Sequence, residues 1–111
     1  MKYYLSGAIS GWPDFKNYFK KHEDELRELG VSDIFNPAAV QWPEDVRWEV
    51  CMKYDLKILI DCDALILLPN WNSSRGVQIE KQLAHDLGIK VVHFKDYINS
   101  LIHEGIKSNA S

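Results

Sequence analysis

The amino-acid sequence predicts a single α/β domain, with a parallel sheet of about four strands and flanking helices. Short apolar stretches alternate with longer amphipathic ones along the chain, which is the order expected of βαβ units. Residues 63–68 (D-A-L-I-L-L) are apolar after the first position, as a strand is when both faces of its sheet are covered. With 111 residues the chain can build one hydrophobic core and not two, so we expect residues 1–111 to form one domain.

The first half of the chain is predicted to contain two strands and two helices. Residues 2–9 form a strand that ends in a turn of small residues. A helix follows from Pro13, which suits a first helical turn, and its apolar face continues until Gly30 stops it. Residues 31–35 form a short strand, and residues 44–60 form the second helix.

The second half repeats this alternation. Residues 63–68 form the clearest strand, which ends at a proline. A polar loop leads into a third helix over residues 76–87, closed by a glycine. Residues 90–94 form the fourth strand, and residues 97–102 form a short final helix.

These elements describe a compact flavodoxin- or Rossmann-like sheet. In such sheets ligands bind beyond the carboxyl ends of the strands. The predicted strand ends are Ser6-Gly7, Asn36-Pro37 and Pro69-Asn70. A binding site is therefore expected where these three turns meet.

Charge and composition indicate a small-molecule partner. The net charge of −3 supplies no basic field for a nucleic-acid polymer or a membrane surface. No apolar run reaches the ~18 residues of a membrane span, and the apolar stretch at the N-terminus is too short for a signal peptide. We therefore expect a cytoplasmic protein.

Neither cysteine nor histidine spacing predicts a metal site. Cys51 and Cys62 lie in apolar segments without a C-x-x-C spacing, so buried free thiols are favoured over a disulfide or metal ligands. The four histidines are expected at the surface or at strand ends: His22, His85, His93 and His103. We expect neither a metal nor another cofactor.

Two carboxylates fall on apolar helix faces. On a helical wheel of residues 76–87, Glu80 lies inside the apolar arc, between Ala84 and Leu87. On the preceding helix Asp55 lies beside Trp48 in the same way. One such acid is often an edge residue whose carboxylate reaches water. Two on consecutive helices favour a pair that divides the roles of nucleophile and acid, as in glycoside hydrolysis.

Two further features point to a phosphorylated, aromatic ligand. Ser74 and Gly76 stand at a helix start, where free N–H groups and the helix dipole suit an anion, although a serine cap without a ligand is an equal alternative. Trp12, Trp42 and Trp71 lie in predicted loops near the strand ends. Each could simply pack locally, but three at one edge make a base-stacking wall plausible.

Four segments resemble the nucleoside 2-deoxyribosyltransferase superfamily in order and spacing. They are residues 4–9 (Y-L-S-G-A-I), Asp55-Leu56, residues 62–65 (C-D-A-L) and residues 74–80 (S-R-G-V-Q-I-E). The resemblance covers roughly residues 3–94, and S-x-G-V-x-x-E is its most specific element. Small members of this superfamily include 2′-deoxynucleoside 5′-monophosphate N-glycosidases and short, often phage-encoded proteins of undefined function.

The resemblance implies roles for individual residues. Glu80 matches the carboxylate that attacks or stabilises C1′ of the sugar. Asp55 matches the acid that holds the sugar or assists departure of the base, and Tyr4 matches the tyrosine that positions the catalytic carboxylate. The implied substrate and phosphate contacts are Ser6, Gly7, Ile9, Ser74, Gly76 and Ser100, the last supplied by a neighbouring subunit. Members are commonly dimers, so a homodimer or a larger homo-oligomer is expected.

Three functions remain open at this point. The first is hydrolysis of a (deoxy)nucleoside 5′-monophosphate, favoured because transferases carry an aspartate where this chain has Ser74. The second is transfer of 2-deoxyribose between bases, and the third is non-catalytic nucleotide binding. The segment N-P-A-A-V-Q-W-P, residues 36–43, is particular to this subgroup, and it does not indicate which base the protein binds.

Overall fold

The structure is a computed structural model that describes the backbone of residues 1–110 and the side chains of residues 1–105. Within this part of the chain, four strands alternate with four α-helices. In chain order they are β1 (Tyr3–Ser6), α1 (Phe15–Glu28), β2 (Ile34–Phe35), α2 (Trp48–Ile60), β3 (Ala64–Leu67), α3 (Arg75–Asp86), β4 (Lys90–His93) and α4 (Phe94–Ala110). Single 3₁₀ turns at Pro37–Ala39 and Trp71–Ser73 complete the connections.

All four strands are parallel and form one sheet in the order β2-β1-β3-β4. The predicted α/β class and four-stranded parallel sheet are confirmed. The strand β1 pairs with β3 so that Tyr4 lies beside Leu65 and Ser6 beside Leu67. The carboxyl ends of these two central strands are therefore neighbours, and the turns that follow them are joined by hydrogen bonds between Ala8 and Asn70.

The sheet separates two layers of helices, because side chains on a strand alternate between its faces. On one side, Leu5 and Ile66 pack with Phe19 of α1 and Phe94 of α4. We refer to this layer as the α1/α4 side. On the other, Tyr4 packs in a cluster with residues of α2 and α3, which we refer to as the α2/α3 side.

Several boundaries differ from the prediction. The helix α2 begins at Trp48 rather than at residue 44, because Val46 closes a turn on Pro43 and Arg47 is extended. The predicted final helix at 97–102 is too short: α4 begins directly after β4 at the buried Phe94 and has 17 residues. The strand β2 has two residues where five were predicted.

His22 is not the surface or strand-end residue that the sequence predicts. It lies on α1 with 7% of its surface exposed, and its Nδ1 is 2.7 Å from the carbonyl oxygen of Tyr18. Its ring contacts Tyr18 and Phe94, with centroid distances of 4.5 and 4.6 Å. Packing between α1 and α4, which helical spacing alone does not reveal, explains the burial.

Both cysteines are free thiols, as predicted. Cys62 is buried, whereas Cys51 is half-buried and therefore less enclosed than expected. Within residues 1–110, no helix combines the length and apolar character needed to cross a membrane.

Candidate active site

A cavity of about 400 Å³ opens at the carboxyl end of the sheet. Its walls come from the turn after β1, the start of α1, the segment between β2 and α2, and the first halves of α2 and α3. This is the edge of the sheet at which the sequence predicts a binding site. Both predicted carboxylates, Asp55 and Glu80, line it.

Glu80 is held in a defined orientation from the sheet. Its carboxylate accepts hydrogen bonds from the hydroxyl groups of Tyr4 and Ser6, the latter at 2.9 Å. Tyr4 and Ser6 are two residues apart on β1, so both side chains emerge on the α2/α3 side. Glu80 itself is 5% exposed. The strand therefore supplies two donors that point one carboxylate toward the cavity.

Asp55 is buried without such support. It is 7% exposed, and its Oδ1 has no hydrogen-bond partner among the described residues. A buried polar oxygen without a partner destabilises a fold by about 1–3 kcal/mol. Since Asp55 lines the cavity, a bound ligand is the natural source of the missing partner.

Burial shifts the ionisation of both acids. It raises the pKa of Asp55 from 3.8 to about 7. It also raises the pKa of Glu80 from 4.5 to about 7, where the negative charge of Asp55 adds to the shift and the hydrogen bonds from Tyr4 and Ser6 oppose it. The hydrogen bonds from Tyr4 and Ser6 favour the ionised form of Glu80, whereas Asp55 Oδ1 has no donor among the described residues that would favour its ionised form.

The pKa of Tyr4 is raised well above 10, first by burial and then by the charges of Glu80 and Asp55. Its hydroxyl therefore keeps its proton across the physiological range. In this structure the Tyr4 hydroxyl donates a hydrogen bond to the Glu80 carboxylate.

Ser74 and Gly76 stand at the start of α3 and line the cavity. The Ser74 hydroxyl oxygen accepts a hydrogen bond from Val77 N–H at 3.2 Å, so Ser74 is the N-cap of α3. Its hydroxyl hydrogen remains available for a ligand. A Cβ at Gly76 would lie 3.2 Å from the sulfur of Met52, so glycine also allows α2 and α3 to approach closely.

Gly7 lies at the end of β1 and lines the cavity, and Asn70 explains why it is glycine. A Cβ at Gly7 would lie 2.8 Å from Asn70 Oδ1. That side chain accepts from Ala8 N–H at 3.1 Å and donates to the Ala8 carbonyl at 3.3 Å. Asn70 thus joins the turns after β1 and β3. The sequence marks Asn70 only as a strand end.

The predicted tryptophans separate in the structure. Trp42 lines the cavity, as does Ile9. Trp12 instead packs on Tyr18, and Trp71 packs on His93, each outside the lining. Trp48 lines the cavity although the sequence indicates only a place on the apolar face of α2.

Lys16 is a further lining residue that the sequence does not single out. It follows Phe15 at the start of α1, and it is the one Lys or Arg among the described residues that line the cavity. The sequence signal that could have identified Lys16 as a lining residue is its position shortly after the small-residue turn that ends β1.

Ser100 lies outside this cavity. It belongs to a separate groove between α4 and the sheet, together with Tyr3 and Tyr97. Within one chain, therefore, Ser100 does not join the other predicted phosphate contacts. Among the described residues, no cluster of His, Cys, Asp and Glu side chains could hold a metal ion.

Comparison with known proteins places the chain in a family. Residues 1–93 match the model of a domain of unknown function, DUF4406. The chain belongs to the DUF4406 family. No curated protein matches the sequence of this DUF4406 member.

The fold of this DUF4406 chain is similar to that of a 2-deoxyribosyltransferase from the psychrotolerant bacterium Bacillus psychrosaccharolyticus, described as a biocatalyst for nucleoside synthesis. The two share 24% identity over 84% of this chain and 71% of the other, with a TM-score of 0.63. The likeness confirms the fold implied by the resemblance to the nucleoside 2-deoxyribosyltransferase superfamily.

Proposed function

We propose that this chain hydrolyses the N-glycosidic bond of a (deoxy)nucleoside 5′-monophosphate, releasing the free base and a sugar 5-phosphate. The observation that carries the proposal is Glu80, buried at the cavity and oriented by Tyr4 and Ser6, with the unpartnered Asp55 in the same wall. The shared fold with a 2-deoxyribosyltransferase supports a substrate of the nucleoside class.

In the first step, the ionised Glu80 attacks C1′ of the sugar. The C1′–N bond breaks, and its electrons leave with the base, which takes the proton held by Asp55. The product is a glycosyl ester on Glu80. The raised pKa of Asp55 suits this step, because a carboxyl with a pKa of about 7 remains partly protonated at neutral pH.

In the second step, water attacks C1′ and the bond to Glu80 breaks. Asp55, now ionised, accepts a proton from the water, which restores both side chains to their starting states. One water is consumed, and one base and one sugar 5-phosphate are released. Asp55 acts as an acid in the first step and as a base in the second, while Glu80 is the nucleophile and then the leaving group, as in retaining glycosidases.

Three features support a phosphate on the substrate. Lys16 places a positive charge at a cavity that otherwise contains two carboxyl groups. Ser74 has a free hydroxyl hydrogen, and the start of α3 carries the positive end of the helix dipole. Together they offset the repulsion between a 5′-phosphate and the acids.

Transfer of 2-deoxyribose to a second base fits the same residues equally well. It differs only in whether a base or water intercepts the glycosyl ester. Non-catalytic nucleotide binding is less well supported, since binding alone does not require a buried carboxylate oriented by Tyr4 and Ser6 beside a second buried acid.

A chromatographic screen of nucleosides and their 5′-monophosphates, with and without an acceptor base, separates these functions. We expect free base from a monophosphate without an acceptor. Formation of a new nucleoside only when an acceptor is present would establish the transferase, and binding without turnover would leave the non-catalytic function.

The Ser74→Asp variant tests the phosphate contact. Aspartate also caps helices well, so α3 should remain intact while a negative charge enters the cavity. We expect kcat/KM for the monophosphate to fall by on the order of 100-fold, through loss of about 3 kcal/mol of charge-assisted binding, with nucleoside use unchanged or higher. Equal losses on both substrates would show that residue 74 does not read the phosphate.

We further propose a cytoplasmic homodimer in which Ser100 of one subunit approaches the phosphate bound by its partner. Ser100 is exposed on α4, and the cavity lining of the single chain does not include it. Sedimentation of the purified protein measures the assembly. A monomer with full activity would overturn this part of the proposal.

A further inference from the structure

The cavity has two chemically different sides. Hydroxyl, amino and carboxyl groups come from the turn after β1 and from α1, α2 and α3. The segment between β2 and α2, together with the first residue of α2, contributes only apolar side chains: Pro37, Ala38, Val40, Trp42, Val46 and Trp48. We refer to these six as the apolar wall. It includes much of the N-P-A-A-V-Q-W-P segment to which the proposed chemistry assigns no role.

Both tryptophans of the apolar wall are held from outside the cavity. Tyr54 meets Trp42 edge-to-face at a centroid distance of 5.2 Å. The guanidinium of Arg75 lies 4.6 Å from the centre of the Trp48 ring. Neither Tyr54 nor Arg75 lines the cavity. The indole rings are therefore oriented before a ligand enters, which lowers the entropy lost on binding.

The polar groups determine how a nucleotide lies in the cavity. Under the proposed function C1′ lies beside Glu80 and Asp55, and Lys16 and Ser74 are the lining residues suited to bind the phosphate. The apolar wall remains for the base. Its side chains carry two polar groups, the indole N–H groups, and these donate hydrogen bonds but do not accept them.

We infer that the apolar wall selects bases that carry carbonyl oxygens and methyl groups over bases that carry amino groups, with thymine as the representative. A carbonyl can accept from an indole N–H, whereas an amino group finds no acceptor among these side chains and loses its hydrogen bonds to water. A methyl group gains apolar contact. The inference rests on the proposed function, since the position of C1′ orients the base.

Two matched substrate pairs test the inference on the wild-type protein. We expect kcat/KM for thymidine monophosphate to exceed that for deoxyuridine monophosphate by about fourfold, the value of one buried methyl group. Deoxyuridine monophosphate should exceed deoxycytidine monophosphate by on the order of tenfold, because of the unpaired amino group. Equal use within either pair, or a preference for the cytosine nucleotide, would overturn it.

Substitutions in the apolar wall test whether these side chains cause the base preference. Trp42→Ala should reduce the thymine-over-uracil preference toward unity, and Trp42→Phe should largely retain it. Val40→Asn adds an amide oxygen to the wall and should raise use of the cytosine nucleotide relative to the uracil one. Trp12→Ala, which removes an indole outside this cavity, is the matched control and should keep the wild-type preferences. Unchanged preferences in Trp42→Ala and Val40→Asn would refute the assignment.

Calorimetry on Glu80→Gln separates this inference from the proposed function. If the wild-type protein turns over no nucleotide, but Glu80→Gln binds the three monophosphates in the same order of affinity, hydrolysis is refuted and base selection stands. If turnover occurs but neither kcat/KM nor affinity follows this order, hydrolysis stands and base selection is refuted.

Discussion

Each side of the sheet buries a titratable helix residue of equal exposure, His22 on one side and Asp55 on the other, and the two differ in their hydrogen bonds. On the α1/α4 side, His22 bonds the Tyr18 carbonyl and packs on Phe94. On the α2/α3 side, Asp55 has the same exposure of 7% but leaves Oδ1 without a partner. The two side chains are equally buried, and they differ in whether the surrounding residues provide a hydrogen-bond partner.

The difference shows which observation is informative about function. A buried polar group that finds its partners within the fold contributes to structure. A buried acid without a partner in a cavity wall is retained at a cost in stability of about 1–3 kcal/mol. The α2/α3 side therefore carries a buried acid at a cavity, with one oxygen unpaired among the described residues, whereas the α1/α4 side is a core. Substitutions on the two sides should separate activity from stability.

The largest expected effect is that of Glu80→Gln. Glutamine keeps the size and one acceptor oxygen, for either Tyr4 or Ser6, but cannot attack C1′, so we expect turnover to fall by on the order of 1,000-fold or more. Single-turnover assays with the preferred nucleotide measure this, and circular dichroism verifies the fold. A variant that keeps a tenth of wild-type turnover would make Glu80 a structural residue.

Asp55→Asn should lower turnover by on the order of 100-fold, because a general acid is removed. The same substitution should increase stability although it lowers turnover. The folded-state pKa of Asp55 lies above its ordinary value of 3.8, so wild-type stability from this group falls as pH rises from about 4 to about 7. The free energy of unfolding of Asp55→Asn should therefore rise relative to wild type across this range.

Urea unfolding of Asp55→Asn and the wild type at pH 4, 5.5 and 7 measures that difference. A gap between the two proteins that stays constant with pH would show that Asp55 ionises normally in the fold.

Tyr4→Phe should have a smaller effect on rate, about tenfold, and a diagnostic effect on pH dependence. The Tyr4 hydrogen bond lowers the pKa of Glu80, so its loss raises that pKa. Because Glu80 must be ionised to attack, the acid limb of the kcat/KM profile should move to higher pH. Ser6→Ala is the matched variant and should move the limb less. If the kcat/KM profiles of both variants kept the wild-type acid limb, the hydrogen bonds from β1 would not control the ionisation of Glu80.

The smallest expected effect on activity is that of His22→Leu on the α1/α4 side. Leucine keeps the apolar contacts and loses the bond to Tyr18, so the free energy of unfolding should change by about 1 kcal/mol. Turnover should stay within twofold of wild type. A tenfold loss of turnover in a folded His22→Leu protein would remove the distinction between the two sides.

The sequence was most informative where periodicity and chemistry conflict. Placing Asp55 and Glu80 on helical wheels predicted two acids on apolar faces, and both are buried. The parallel sheet followed from alternating apolar and amphipathic stretches, and it is confirmed. Both results depend on local spacing, which a sequence contains directly.

Features that depend on contacts between distant segments were not predictable in this way. The burial of His22 depends on contact with Phe94, 72 positions later in the chain. The separation of Trp42 from Trp12 and Trp71 depends on where three loops turn. The early start of α4 follows from the docking of Phe94 in the core. In each case tertiary packing overrides what neighbouring residues indicate.

The contact between Gly7 and Asn70 has a practical consequence for anyone who wishes to redirect the site to other substrates. Any side chain at position 7 meets the amide that joins two turns, so these two positions should be excluded from a mutant library. Val40 and Val46 are suitable targets, because their backbone N–H groups bond only to nearby residues of the same segment. Randomising residues 40, 42 and 46 together would therefore sample new pocket shapes while leaving the sheet, Asp55 and Glu80 in place.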